Sequence, residues 1–199
     1  MFQVRIHGRG GQGVVTAAEL LADAAFRQGQ YAQAFPSFGS ERTGAPVVSF
    51  CRISAAPIRV REPVLAPDAL IIQDATLLAG IDVFAGLVPT GYALLNSRHS
   101  FAALGLGDRV APLPPGHAIR VPATELALAH LGRPLPNAAL LGAFAALYPG
   151  LDLDAVLAAL RERFPGAVGE RNVAAATAAH DAALAERAAT AGTKERVDA

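Results

Sequence analysis

The chain has 199 residues, 52% of them hydrophobic, and its 17 basic and 17 acidic residues balance to a formal net charge of zero. This length and composition predict one domain over residues 1–188, followed by a polar tail over residues 189–199. A neutral chain has no general attraction to the phosphate backbone, so composition gives nucleic-acid binding no support. No segment approaches the roughly 18 uninterrupted apolar residues of a membrane span, and we expect a cytoplasmic protein.

The only cysteine is Cys51, which lies in an apolar run and is expected to serve packing. A single cysteine excludes an intrachain disulfide, in keeping with a reducing compartment. It also cannot hold an iron–sulfur cluster or a structural zinc ion, because these need about four thiolate or imidazole ligands. We therefore predict no metal site in this chain and place any such centre in another chain.

Alternating strands and helices are predicted along the chain. Residues 2–6 alternate apolar and polar side chains as a strand does, a glycine cluster follows, and apolar residues then recur at helical spacing over residues 12–28. Further strands are predicted at residues 31–35, 47–53, 69–73, 92–95 and 118–121, and further helices at residues 124–131, 137–148, 155–164 and 170–188. This order predicts an α/β fold with a mainly parallel, Rossmann-like sheet, helices on both faces and a helical C-terminal part.

The glycine cluster fits the G-x-G-x-x-G pattern between a strand and a helix. Glycine N–H groups can approach an anion closely, and the helix N-terminus adds partial positive charge. We therefore predict an anion or nucleotide site at Gly8, Gly10, Gly11, Gln12 and Gly13. An NAD site would also need an acid at the end of the second strand, and none follows residue 35. In the alternative reading, the loop only packs the strand against the helix.

A second polar loop spans residues 38–46 and contains Arg42, whose guanidinium can grip a phosphate. Alternatively, Glu41 and Arg42 form a surface pair or dock against a partner chain. In a parallel sheet both loops lie at the carboxyl edge of the strands, where α/β folds bind ligands. Asn96 joins them if its strand is also parallel.

Two polar residues near these loops are given structural roles. We expect His7, at the end of the first strand, to be satisfied by backbone groups. We expect Asp74, with Thr76, to cap a short turn. No set of side chains forms a recognisable catalytic constellation, so no catalytic residue is predicted.

Several stretches together resemble the gamma subunit of pyruvate and related 2-oxoacid oxidoreductases. They are HGRGGQGVVTAA at residues 7–18, YAQAFP at 31–36, GSERTGAPV at 39–47, QDAT at 73–76, LGRP at 131–134 and LGA at 141–143. The resemblance extends to about residue 185. Some members of that family carry a second basic residue where this chain has Thr43.

The resemblance implies a complex with alpha, beta and delta-type partner subunits that oxidatively decarboxylates a 2-oxoacid to its acyl-CoA. The acid is pyruvate or an aryl acid such as phenylglyoxylate, and the acceptor is ferredoxin, or NAD through a flavin subunit. Thiamine diphosphate, Mg and 4Fe–4S clusters belong to the partner subunits. This chain, inactive alone, is implied to cover the active site and to contact coenzyme A through residues 8–13, Arg42 and Asn96. Two alternatives are a stand-alone nucleotide-binding oxidoreductase and a purely structural assembly subunit.

Overall fold

A computed structural model describes residues 1–37 and 43–197 of the chain. Its strands are β1 (Phe2–Arg9), β2 (Tyr31–Pro36), β3 (Pro46–Ser54), β4 (Ala69–Ile72), β5 (Tyr92–Asn96) and β6 (Ala118–Val121). Its α-helices are α1 (Val14–Arg27), α2 (Gly107–Val110), α3 (Ala123–Leu131), α4 (Asn137–Leu147), α5 (Leu153–Arg163) and α6 (Ala167–Val197). A 3-10 helix, Ala75–Ala79, follows β4. The predicted α/β fold is confirmed.

The six strands form one sheet in the order β2-β3-β1-β4-β5-β6. The four strands β1, β4, β5 and β6 run parallel, as predicted. The exception is β3, which runs antiparallel to both of its neighbours, β1 and β2. Because β3 reverses the chain direction, the carboxyl ends of β1 and β2 and the start of β3 all lie at one edge of the sheet.

The two faces of the sheet are covered by different elements. Strand side chains on one face, such as Ile6 and Ile71, belong to the larger core, which also contains residues of α1, α3, α4, α5 and α6. Strand side chains on the opposite face, such as Leu70 and Ile72, belong to a smaller core beneath the 3-10 helix and α2. The predicted helices on both faces are present, but all the long helices share one face. Cys51 is fully buried in the larger core, where burial raises the pKa of its thiol.

Two buried arginines hold irregular segments against the face that lacks long helices. Arg5 donates hydrogen bonds to the carbonyl oxygens of Val64, Val83 and Ala85. Arg52 donates to the carbonyl oxygens of Val60 and Glu62. These bonds satisfy backbone carbonyls that no neighbouring strand reaches.

The helices α4 and α6 pack unusually closely because of Gly142. A Cβ atom built on Gly142 would lie 2.0 Å from the carbonyl oxygen of Ala176. Such a distance is far inside van der Waals contact, so only glycine fits here. Almost every residue of α4 is buried, and this helix forms the centre of the larger core.

The last helix is longer than predicted. It begins at Ala167 and continues to Val197, so most of the residues assigned to a polar tail are helical. Alanine, glutamate, lysine and arginine all favour helix, and a lone glycine at position 192 does not end it. Within residues 1–37 and 43–197, no helix has the length and apolar character that crossing a membrane requires.

Candidate functional site

The glycine cluster forms a tight loop between β1 and α1. Gly11 and Gly13 have φ values of 94° and 70°, a left-handed conformation that glycine adopts without strain. Gly13 is the N-cap of α1, and a Cβ atom there would lie 2.5 Å from Nδ2 of Asn137. Gly8 lies within β1, and a Cβ atom there would lie 2.6 Å from Cγ2 of Val14. Gly8 therefore allows strand and helix to pack closely.

Several polar groups of the loop are used within the protein. The N–H of Gly10 donates to the carbonyl oxygen of Ala45 at 2.9 Å, and the N–H of Gly44 donates to that of Gly10 at 3.0 Å. The N–H of Gln12 donates to the carbonyl oxygen of Arg9 at 3.0 Å. In return, Oε1 of Gln12 accepts the N–H of Arg9 at 2.8 Å. Gly10 and Gln12 therefore shape the loop through these bonds.

The remaining amides of the loop are open. In the part of the chain that the structure describes, the N–H groups of Gly11, Gly13, Val14, Val15 and Thr16 have no hydrogen-bond acceptor. They include the first turn of α1, where the helix dipole places partial positive charge. Of the predicted loop contacts, Gly11 and Gly13 are the ones with N–H groups available to an anion.

Asp74 ties the loop to the end of β4. Its Oδ2 accepts a hydrogen bond from Nε2 of Gln12 at 2.7 Å, and its Oδ1 accepts the N–H of Thr76 at 2.9 Å. The predicted cap of a short turn is confirmed, since Asp74 is the N-cap of the 3-10 helix. Burial alone would raise the pKa of Asp74, but hydrogen bonds from Thr76 and Gln12, together with the Arg9 cation, lower it. The carboxylate is therefore occupied within the fold.

The end of the second polar loop lies against the glycine loop. Thr43 forms a β-bridge with Gly10, and the Arg9 guanidinium donates to the carbonyl oxygen of Gly44 at 3.0 Å and to Oγ1 of Thr76 at 2.7 Å. The predicted convergence of the two loops is thus present for residues 43–46. Arg42 lies outside the described residues.

Two cavities flank the glycine loop and share Gly11, Gly13 and Thr16. The first, which we call the loop cavity, has a volume of about 360 Å³ and lies between the glycine loop and residues 43–47. The second, which we call the arginine cavity, has a volume of about 440 Å³ and is lined by Arg133, Arg163, Arg171 and other residues of the helical half. Sequence reasoning did not select these arginines, which lie far from the glycine loop along the chain.

The family follows from a comparison with known proteins. Residues 3–182 match the family described as pyruvate ferredoxin/flavodoxin oxidoreductase. The chain belongs to this family. The resemblance seen in the sequence is therefore confirmed, and so is the prediction of a gamma-type subunit of a 2-oxoacid oxidoreductase complex.

Relatives of the pyruvate ferredoxin/flavodoxin oxidoreductase family match over most of their length. The chain is 45% identical over 176 residues to the pyruvate/ketoisovalerate oxidoreductases common subunit gamma of Thermococcus kodakarensis, covering 88% of this chain and 94% of the relative. The crystal structure of pyruvate oxidoreductase subunit PORC from Thermotoga maritima superposes with a TM-score of 0.75 at 33% identity, covering 90% of this chain and 95% of that one.

A more distant structure shares the fold. It is the 2-oxoglutarate:ferredoxin oxidoreductase of Magnetococcus marinus, solved with 2-oxoglutarate, coenzyme A and succinyl-CoA bound. The TM-score is 0.69 at 18% identity, with 94% of this chain and 31% of that chain covered. The fold of this family member therefore also occurs as part of a longer chain.

In the present chain, Asn96 lies at the same sheet edge as the two loops, but both ends of its amide already form hydrogen bonds within the protein. Its Nδ2 donates to the carbonyl oxygen of Gln73 at 2.8 Å and to Oγ1 of Thr124 at 2.7 Å, and its Oδ1 accepts the N–H of Thr124 at 3.1 Å. These bonds join β5 to β4 and to the start of α3. A direct contact between Asn96 and a ligand stays a prediction.

The hydrogen bonding of the His7 side chain differs from the prediction. Its Nε2 accepts a hydrogen bond from Nε of Arg5 at 2.9 Å, so its partner is a guanidinium, and no backbone group of residues 1–37 or 43–197 bonds to its ring. Burial, with a further effect of the Arg5 cation, lowers the pKa of His7 to about 4. The imidazole is therefore neutral, and its buried Nδ1 has no partner within the described residues.

Proposed function

We propose that this chain binds coenzyme A at the glycine loop and covers the active site of a 2-oxoacid oxidoreductase complex. Alpha, beta and delta-type partner subunits hold thiamine diphosphate, Mg and 4Fe–4S clusters. The complex converts a 2-oxoacid and coenzyme A to acyl-CoA and carbon dioxide, and passes two electrons to ferredoxin, or to NAD through a flavin subunit. The substrate is pyruvate, or a related acid such as phenylglyoxylate, and the complex is cytoplasmic.

One observation carries the proposal: open N–H groups at the start of α1 face two cavities. Gly11 and Gly13 supply two of these donors, and the first turn of α1 supplies the rest. Coenzyme A carries a pyrophosphate and a 3′-phosphate, and a helix N-terminus with free amides favours such anions. The Magnetococcus marinus enzyme, which shares this fold, was solved with coenzyme A bound.

Arg42 is the proposed side-chain partner of a coenzyme A phosphate. It directly precedes Thr43, which bridges to Gly10 beside the loop cavity. A guanidinium at this point of the chain can form a bidentate pair with a phosphate. Asn96 is proposed to act indirectly, by holding the ends of β4 and β5 beside the loop.

A nicotinamide dinucleotide fits the same loop less well. The strand next to β1 on the α1 side is the antiparallel β3, so the usual parallel second strand with a terminal acid is missing. The acid at the end of the other neighbour, β4, is Asp74, and its carboxylate is occupied by Gln12 and Thr76.

The test uses the assembled complex with Arg42→Ala, and with Gly13→Ala, which forces a side chain into a left-handed N-cap beside Asn137. Either change should raise the KM for coenzyme A on the order of tenfold, because charged hydrogen bonds or their geometry are lost. The matched control is Arg109→Ala, an exposed arginine on the opposite face of the sheet.

Assembly is followed by size-exclusion chromatography of each variant. A lower yield of assembled complex, with an unchanged KM in the fraction that does assemble, would favour the purely structural subunit. Tight NAD binding without coenzyme A binding would favour the stand-alone oxidoreductase.

A further inference from the structure

The strand β2 forms one edge of the sheet and carries little protection against pairing. Its neighbour on one side is β3, and within residues 1–37 and 43–197 no strand lies on its other side. Sheets usually guard an open edge with charged side chains, a bulge or proline, because such an edge pairs readily with another chain. The strand β2 has no charged residue and pairs with β3 without a bulge, so Pro36, its last residue, is its only protection.

The pairing with β3 determines which backbone groups of β2 point outward. The N–H of Ser37 donates to the carbonyl oxygen of Val48 at 2.8 Å, so these two residues form a hydrogen-bonded pair. In an antiparallel ladder such pairs alternate along the strand, and the odd-numbered residues of β2 therefore bond to β3. The N–H and C=O groups of Ala32 and Ala34 point to the open edge and have no partner in the described part of the chain.

These outward groups are complementary to a second copy of themselves. When two β2 strands run antiparallel with Gln33 opposite Gln33, Ala32 of each copy lies opposite Ala34 of the other. Each of these two pairs exchanges two backbone hydrogen bonds. All four outward N–H groups, two from each copy, then have an acceptor.

The side chains of β2 suit the same register. Ala32 and Ala34 lie on the face that packs against the larger core, and their small side chains add no bulk there. Tyr31, Gln33 and Phe35 lie on the opposite face, because side chains alternate along a strand. Tyr31, which is 49% exposed, then lies opposite Phe35 of the second copy. Two such aromatic pairs, one on each side of Gln33, stabilise the antiparallel arrangement.

An identical strand fits this edge better than an unrelated one. A strand of any protein could accept hydrogen bonds from Ala32 and Ala34, but the equal spacing of Tyr31 and Phe35 about Gln33 matches aromatic to aromatic only when the strand meets its own copy. Charge does not oppose this meeting, because β2 is uncharged and the whole chain has a formal net charge of zero. A two-fold arrangement of this kind is closed, so it joins two copies and no more.

We propose that β2 pairs with β2 of a second copy of this chain about a two-fold axis at Gln33, so that two six-stranded sheets become one continuous sheet. The oxidoreductase complex then contains this chain as pairs. The proposal is independent of coenzyme A binding, because it uses the outer edge of β2 and none of the groups of the glycine loop.

The test places a cysteine on the two-fold axis. In the proposed register, position 33 lies opposite itself in a non-hydrogen-bonded pair, whose Cα atoms are about 4.5 Å apart, a distance that a disulfide spans. Gln33→Cys in the purified complex should therefore cross-link most of this chain under mild oxidation. The product is a band at twice the 20.5 kDa mass of the chain on a non-reducing gel. The native Cys51 is fully buried and does not compete.

Tyr31→Cys is the matched control. Position 31 lies on the same face of the same strand and is exposed, but in the proposed register it is four residues, about 13 Å, from position 31 of the second copy. A disulfide cannot span that distance, so this variant should give no cross-link. Ala32→Pro removes an outward N–H and keeps the bonds to β3, so adding it to Gln33→Cys should abolish the cross-link.

Three results overturn the proposal. The first is a Gln33→Cys complex that does not cross-link, or that cross-links no more than Tyr31→Cys. The second is a cross-link that Ala32→Pro leaves unchanged. The third needs no variant: native mass spectrometry of the wild-type complex should find two copies of this chain, and a single copy refutes the pairing. The KM for coenzyme A is the separate measure of the proposed function, which stands or falls without these results.

Discussion

Acidification is expected to destabilise this chain through His7. His7 is 5% exposed, and its imidazole accepts a hydrogen bond from Arg5, an arrangement that exists only while His7 is neutral. Its pKa is lowered from 6.5 to about 4 in the folded chain. Between these values the unfolded chain binds more protons than the folded chain. The stability contribution is therefore complete above pH 6.5 and is lost as the pH falls through about 4.

The magnitude follows from the size of the pKa shift. A decrease from 6.5 to about 4 corresponds to about 3 kcal/mol of free energy of unfolding. The free energy of unfolding of a typical domain is about 5–15 kcal/mol, so this contribution is a large fraction of it. Little screening by solvent is expected, because His7 is only 5% exposed.

The assay is urea denaturation of the chain at several pH values between 7 and 4, followed by circular dichroism. His7→Gln keeps an acceptor for Arg5 but cannot titrate, so its free energy of unfolding should fall less steeply with pH than that of the wild type. His130→Gln, at an exposed position near the end of α3, is the matched control. Equal pH dependence in the wild type and in His7→Gln would refute the reasoning.

Two further substitutions test packing and the loop. Gly142→Ala should lower the free energy of unfolding by about 3 kcal/mol, because its Cβ would lie 2.0 Å from the Ala176 carbonyl oxygen. Gly80→Ala, whose Cβ would meet nothing within 4 Å, is the control in the same denaturation assay. Gln12→Ala should raise the pKa of Asp74, since the carboxylate loses a hydrogen-bond donor. An NMR titration of the Asp74 carboxyl checks this, and an unchanged pKa would contradict the stated role of the Gln12–Asp74 hydrogen bond.

The strands and helices could be predicted because apolar periodicity is a local property, as is the presence of glycine or proline where an element ends. Strand direction is not a local property, because an apolar run such as β3 has the same pattern in either orientation. A clue was nevertheless present: only a short loop separates β2 from β3, whereas parallel neighbours need a crossover of a dozen or more residues. The end of the last helix was missed because its charged residues read as a solvated tail although they also favour helix.

The candidate site was only partly predictable. The glycine loop is contiguous in sequence, so its turn and the helix start at Gly13 could be read directly. Which of its amides are free depends on pairing with residues 44 and 45, which becomes visible only in three dimensions. Arg133 lies between α3 and α4, Arg163 at the end of α5 and Arg171 in α6. They line one cavity only through tertiary packing, which their spacing along the chain does not predict.

Arg5 and Arg52 determine the shape of one surface of this subunit. Through them, five carbonyl groups of otherwise irregular backbone are fastened to neighbouring strands of the sheet. A planar guanidinium reaches several acceptors at fixed angles, which a lysine ammonium does not reproduce. A lysine at either position would therefore leave the sheet intact but would no longer hold the irregular segments in place. Two side chains thus determine the shape of the protein surface on this face of the sheet.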